Sequence, residues 1–255
     1  MRRWVVGVVA VTLALGGCSA GDASPDIQSL PTSGAVDYQL GGAYDPPDDV
    51  TVVARDRADE PLEGVYSICY VNGFQTQPGE LSDWPDDLLL QKDGEPFIDP
   101  GWPDEVILDT SSAANRDTIV DVIGEWIDGC ASDGFQAVEF DNLDTYSRSD
   151  GLLTIDDNLL LASALVDRAH ESGLAAGQKN SLELGDRGRD EAGFDFGVVE
   201  ECHEFDECAA YGEIWGGQWI DIEYTDTSVC SDDARPLLTV VRDRDLTPGG
   251  AYSTC

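Results

Sequence analysis

Between Gln136 and Tyr146 the chain reads Gln-Ala-Val-Glu-Phe-Asp-Asn-Leu-Asp-Thr-Tyr. An apolar strand core, Ala137 and Val138, runs directly into Glu139, Asp141, Asn142 and Asp144. Side chains of a strand alternate faces, so Glu139 and Asp141 point the same way. Carboxylates at the end of a buried strand are costly to place without a use. The uses are proton transfer, nucleophilic attack, or grip on a polar or cationic substrate. The plainer alternative is an acidic loop after a strand, in a chain rich in Asp.

The pattern recurs along the chain. Val36-Asp37-Tyr38-Gln39-Leu40, Cys69-Tyr70-Val71-Asn72, Leu108-Asp109, Gln178-Lys179-Asn180, Val199-Glu200-Glu201-Cys202 and Ile222-Glu223-Tyr224 each bring polar groups to the end of an apolar run. Lys179 stands out, because Lys92 and Lys179 are the only lysines. A cation there binds substrate or forms a salt bridge that holds Asp141 or Glu139 in place.

The elements that carry these ends alternate strand and helix. Strand-like runs are Val36–Leu40, Val50–Ala54, Val65–Val71, Glu105–Leu108, Gln136–Phe140, Leu174–Gln178, Phe194–Val199 and Gln218–Tyr224, with Leu237–Val241 a ninth candidate. Ile119, Val122, Ile123, Trp126 and Ile127 make one helical stripe, with Gly129 as a stop signal. Thr154 and Asp157 resemble a capping box opening a helix that ends at Gly173. This order predicts an α/β fold, a single (β/α)8 TIM-type barrel over residues 35–255, whose site is built where the strands end. Phe74 to Pro103, with Trp84, Trp102 and five prolines, lacks periodicity and is expected to be a long loop walling the substrate.

Arg2 and Arg3, the apolar run Trp4–Leu15 and then Leu15-Gly16-Gly17-Cys18 resemble a lipoprotein signal. The expectation is a signal peptide at 1–17, lipid on Cys18 and a flexible tether over 18–34, placing the protein on the extracytoplasmic face of a bacterial cell membrane. The apolar run is too short to span a membrane. Formal net charge is −37, and loss of Arg2 and Arg3 with the signal makes it −39. Such a surface disfavours nucleic acid and anionic lipid headgroups. It suits a cationic polymer or a salty medium, or simply solubilises the protein. Six further cysteines fit up to three disulfides in an exported protein. Sequence alone allows fifteen connectivities; the local expectation is Cys202 with Cys208, and Cys230 with Cys255 would pin the C-terminal tail, leaving Cys69 with Cys130. The spacing of Cys202, His203 and Cys208 falls outside common zinc patterns, so no metal is expected and His203 is assigned to a loop or the substrate site.

Together these residues resemble the endo-α-1,4-polygalactosaminidase-type glycoside hydrolases of family 114. The similarity is carried by Tyr38-Gln39-Leu40, Ile68-Cys69-Tyr70-Val71-Asn72-Gly73, Gly101-Trp102-Pro103-Asp104-Glu105, Leu108-Asp109, Gly134-Phe135, Val138 through Tyr146, Ala169 through Leu174, Lys179-Asn180, Phe194-Asp195-Phe196, Glu200-Glu201-Cys202, Glu207-Cys208 and Glu223-Tyr224. It covers roughly residues 36 to 225. Where the family tends to have Asn-Glu-Gln-Cys, this chain has Val199-Glu200-Glu201-Cys202.

The resemblance implies a TIM-type barrel, hydrolysis of α-1,4-linked galactosamine polymers, and Asp141 and Glu200 as the catalytic carboxylates. Glycoside cleavage needs one protonated and one ionised carboxyl. Glu200, expected to be partly buried beside other acids and so to hold its proton, is assigned acid/base, with Glu201 its rival. Asp141, near Lys179, is assigned nucleophile or charge stabiliser. Asp109, Glu139, Asp144 and Glu223 are candidates for binding substrate ammonium groups. Tyr38, Tyr70, Tyr146 and Tyr224 are candidates for offering ring faces. Asn142, Lys179, Asn180 and Glu201 complete the substrate-binding set. No step calls for a cofactor. Two other readings remain: a carbohydrate-binding lipoprotein without turnover, and a hydrolase of another glycan or a peptide-like bond, since one barrel hosts many chemistries.

Overall fold

The structure, a computed structural model, describes Met1, residues 26–224 and residues 227–255. Residues 2–25 lie outside the described residues, and with them Cys18 and most of the expected signal and tether. Eight parallel strands make the barrel: β1 (Ala35–Gln39), β2 (Val50–Asp56), β3 (Tyr66–Asn72), β4 (Ala137–Asp141), β5 (Ala175–Lys179), β6 (Phe196–Glu200), β7 (Trp219–Tyr224) and β8 (Leu238–Arg242). Each pairs with the next in chain order. A short β9 (Tyr252–Thr254) adds antiparallel to β8.

The ring is nearly closed where β8 approaches β1. Arg242 fastens that seam. It is fully buried, with Nη1 2.7 Å from Asp37 Oδ1, and it also donates to the Tyr38 carbonyl. A charge this deep is tolerable only when paired and hydrogen-bonded. Tyr252 Oη donates to the Val36 carbonyl across the same seam.

Two strand expectations change. Glu105–Leu108 is not a barrel strand. Its apolar residues are buried, but they bridge to Gln75, Leu89 and Ile98 within the excursion between β3 and the first helix. Leu237–Val241, the ninth candidate, supplies β8 instead. The helical layer is also thinner than eight. The long helices are α1 (Ala113–Asp133) and α2 (Ile155–Glu171), with a shorter α3 (Cys208–Trp215). β1 passes to β2, and β2 to β3, without a helix.

α1 buries Ile119, Ile123 and Ile127 on the expected stripe, each contributing about 1.5–3 kcal/mol. It does not stop at Gly129 but at Gly134, which caps it with φ +100°. The added turn buries Cys130 and joins it to Cys69 on β3, which outweighs the cost, about 1 kcal/mol, of an internal glycine. The Thr154–Asp157 capping box forms as expected. The other two disulfides are Cys202–Cys208 and Cys230–Cys255, so the three pairings match the sequence reading.

Strand alternation divides the molecule. Tyr38, Ile68, Ala137, Phe196, Ile222 and Val240 point into the barrel, and Val71, Val138, Phe140, Val199 and Trp219 point out toward the helices. Ile27 and Leu30 pack against the inner cluster, so the chain is docked from Ile27 rather than tethered up to residue 34. The loop from Phe74 to Pro103 folds on its own satellite core of Leu90 and Phe97 with Ile107 and Leu153. Trp84 belongs to its anchoring, buried edge-on to Trp126 of α1 at 5.6 Å, and is not part of a substrate wall.

Candidate active site

At the C-terminal mouth, the inward positions of β1, β3, β4, β5, β6 and β7 are Tyr38, Tyr70, Glu139 with Asp141, Lys179, Glu200 and Tyr224. Register brings them level: Tyr70 pairs with Glu139, Asn72 with Asp141, Lys179 with Val198 and Glu200 with Ile222. Lys179 is the hub. Its Nζ lies 3.5 Å from Asp141 Oδ2, 3.4 Å from Glu200 Oε2, and donates to Tyr38 Oη at 2.9 Å. Tyr38 Oη in turn donates to Glu139 Oε1 at 2.5 Å. Lys179 is buried, whereas the Asp141 and Glu200 side chains keep 20 % and 28 % exposure. Two carboxylates are thus open to a ligand while their shared counter-charge is not.

The two acids are held differently. Asp141 accepts from Tyr70 Oη at 2.9 Å and from the Asn142 N–H at 2.7 Å. Glu200 accepts from Tyr224 Oη and from Asn180 Nδ2 at 3.0 Å, while the Glu200 N–H donates back to Asn180 Oδ1 at 2.8 Å. Burial pushes the Glu200 carboxyl upward, but the Lys179 charge and these donors outweigh it, and its pKa falls below the ordinary glutamate value. The expectation that Glu200 holds its proton more tightly is therefore corrected. The physical reason is that Lys179 and Asn180 from the β5 end and Tyr224 from β7 outweigh the acidic neighbours.

The raised carboxyl is Glu139. Burial lifts it to about 7, against the pull of Lys179 and the Tyr38 hydrogen bond. Burial alone would lower the Lys179 pKa, but Asp141, Glu200 and Glu139 raise it well above the usual lysine value, so the ammonium stays charged. Three mouth strands leave through a left-handed residue directly after the key side chain: Asn142 (φ +63°), Asn180 (φ +48°) and Glu201 (φ +58°). Asparagine accepts this conformation readily. Glutamate does not, and Glu201 is a locally strained residue beside Glu200.

The sequence-derived candidates separate accordingly. Tyr38, Tyr70, Glu139, Asp141, Asn142, Lys179, Asn180, Glu200 and Tyr224 converge on one network. Within it Tyr38 and Glu139 are fully buried, so they support Lys179 and are out of a sugar's reach. Asp144 and Tyr146 stand at the rim, tied to Arg148 at 2.5 Å and to Glu183 at 2.6 Å. Glu201 is taken by Arg244 at 2.5 Å, whose guanidinium also covers the Tyr224 ring at 4.9 Å.

Two candidates fall outside the mouth. Asp109 accepts from Ser111 and Asn115 at the start of α1. Glu223 is buried on the outward side of β7 and accepts from the His203 N–H at 2.7 Å. His203 itself braces a loop, 2.8 Å from Asp232 and 3.0 Å from Ser228. Cys202, Cys208 and Asp221 cluster within 4.8 Å, but both sulfurs are spent in the disulfide and offer no thiolate to a metal.

Sequence reasoning missed the bracing beside Asp141. Arg148 bonds Asp99 at 2.8 Å and Asn142 at 3.1 Å as well as Asp144. Glu105 accepts from Asn72 at 3.0 Å and Gln75 at 2.5 Å. Neither Asp99 nor Glu105 ends a barrel strand, so the strand-end signal had no hold on them. A cavity of about 830 Å³ at the opposite end of the barrel is lined by residues such as Ser29, Thr51, Glu63 and Tyr66, away from these acids.

The model of glycoside-hydrolase family GH114 matches residues 19–255. Among solved structures, Aspergillus fumigatus Ega3 in complex with galactosamine is 21 % identical, covering 92 % of this chain and 100 % of that one, with a TM-score of 0.73. The glycoside hydrolase domain of PelA from Pseudomonas aeruginosa is 12 % identical over 87 % of this chain and 99 % of its own, with a TM-score of 0.59. No curated protein sequence matches the chain.

Proposed function

This chain belongs to glycoside-hydrolase family GH114, and from that premise we propose that it cleaves an α-1,4-linked galactosamine-type polysaccharide with Asp141 and Glu200 as the reacting carboxylates. The observation that carries the assignment is Lys179, whose one ammonium lies within 3.5 Å of both acids. That shared contact limits the two facing oxygens to about 7 Å apart. Retaining glycosidases space their carboxyls at about 5–5.5 Å and inverting ones at about 6.5–9.5 Å. The cap admits the retaining spacing, and we propose cleavage with retention. One carboxyl then attacks the anomeric carbon, and the other gives its proton to the leaving oxygen and recovers it from the incoming water. Lys179 and Tyr224 favour the ionised form of Glu200, so the substrate must alter their hold if Glu200 is the proton donor. If Glu200 attacks, no such change is needed.

Charge supports an amino-sugar substrate. Glu105, Asp141, Asp144 and Glu200 gather at the mouth of a chain with a net charge of −37, and such a field raises the local concentration of a polycation. The galactosamine complex of Ega3, a protein of the same fold, agrees with that class of ligand. We further propose export and anchoring through a lipid on Cys18. The three disulfides support an oxidising compartment. The test is a panel of defined polysaccharides, acetylated and free amino-sugar polymers among neutral glycans, with reducing ends measured. Release from an α-1,4-galactosamine polymer is expected. Binding of that polymer without release, or release only from another glycan, overturns the proposal.

A further inference from the structure

Trp102 and Phe205 are the two aromatic side chains left exposed among the described residues, at 55 % and 63 %. The other tryptophans, phenylalanines and tyrosines described are buried or half-buried. Single exposed apolar residues are ordinary, so position must carry the argument. Both sit on loops that leave the C-terminal ends of strands, Trp102 after β3 and Phe205 after β6.

Each is fastened to the support of a different carboxylate. The Trp102 N–H donates to the Asp99 carbonyl at 3.1 Å, and the Trp102 carbonyl accepts from Glu105 at 3.0 Å. The buried Asp99 carboxylate takes the Gly101 N–H at 2.7 Å and Arg148 at 2.8 Å, and Arg148 reaches Asn142, next to Asp141. The Phe205 N–H donates to the Glu201 carbonyl at 3.1 Å, one residue from Glu200, in a loop closed by Cys202–Cys208. A water-facing ring on an anchored backbone offers an apolar face to the C–H side of a sugar, and its negative face attracts an ammonium group.

We infer that Trp102 and Phe205 are stacking platforms for rings of an amino-sugar chain, Trp102 on the Asp141 side of the cleavage point and Phe205 on the Glu200 side. The inference rests on the proposed substrate class and adds where neighbouring units of the chain lie. It predicts that affinity grows with oligomer length and that each ring carries part of the gain.

The experiment titrates α-1,4-linked galactosamine oligomers of increasing length by calorimetry against Asp141→Asn, alone and combined with Trp102→Ala, Phe205→Ala, Trp102→Phe or Leu160→Ser. Thermal melting checks that each is folded. Leu160, exposed on α2, is the control. Each alanine is expected to cut the long-oligomer affinity about tenfold. Trp102→Phe should keep most of the gain and Leu160→Ser all of it. Wild-type cleavage of the same oligomers is measured in parallel. A length gain intact in both alanine variants overturns the platforms, whatever the wild type cleaves. A gain lost in those variants, with no wild-type cleavage, sinks the hydrolase reading and upholds the platforms. No oligomer binding at all overturns the platforms.

Discussion

Replacing Lys179 with methionine removes one buried ammonium from among Glu139, Asp141 and Glu200 while keeping much of its volume. At the 3.4–3.5 Å separations here, and with an effective dielectric near 20, each contact is worth about 5 kcal/mol before solvent screening. The two acids are partly open to water, so roughly 2–4 kcal/mol per contact is the realistic range. Without that charge, burial is left to push the Glu200 carboxyl upward. The sign is fixed by Lys179 favouring the ionised form of Glu200. The acidic limb of kcat/KM against pH should therefore move to higher pH by at least about one unit, and kcat/KM at neutral pH should fall by about 100-fold or more. The assay is a pH–rate profile on the cleaved polymer, with a melting curve confirming that the variant is folded. A folded variant whose acidic limb coincides with the wild type would refute the charge-hub reasoning.

Asp221 is fully buried, and burial followed by the Glu223 charge raises its pKa to about 8. The folded state thus holds this proton more tightly than the unfolded chain, so wild-type stability should decline as pH rises from about 4 to about 8. Asp221→Asn should remove its share of that decline, leaving the share of Glu139, and be more stable at pH 8 by roughly 2–5 kcal/mol in urea unfolding; parallel pH dependences in the two proteins would contradict it. Replacing Cys202 and Cys208 together by serine frees the loop that follows Glu200. It should cost about 2 kcal/mol of stability in denaturant titration and lower kcat, whereas unchanged kcat would show that the loop does not hold Glu200. Glu201→Gln should stay within about tenfold of wild-type kcat, because Arg244 already occupies that carboxylate; a loss as deep as that of Glu200→Gln would make Glu201 the reacting acid.

The site was legible in the sequence where strand period and chemistry coincide. Tyr38, Tyr70, Asp141, Lys179, Glu200 and Tyr224 all end apolar runs, and all face inward. The same signal also gathered Glu223, whose position in β7 turns it to the outer side, and Asp109, which follows a strand-like run that is not in the barrel. A short apolar run does not say which sheet it joins, so Glu105–Leu108 displaced Leu237–Val241 in the count of strands. The three cysteine pairings agree with one of the fifteen connectivities that six cysteines allow, reached from the nearness of Cys202 and Cys208 and the place of Cys255 at the tail. The charge of Glu200 was not legible, because its cation and donors come from other strands and their distances exist only after folding. Asp99, Glu105 and Arg148 were invisible for the same reason: their partners are set by how the long loop docks.

The most direct measurement compares wild type, Asp141→Asn and Glu200→Gln on an α-1,4-galactosamine polymer, with reducing ends counted and the fold of each verified by melting. Both isosteric variants should remain folded and lose at least about a thousandfold in kcat. Either variant cleaving at the wild-type rate would contradict the pairing of these two carboxylates around Lys179.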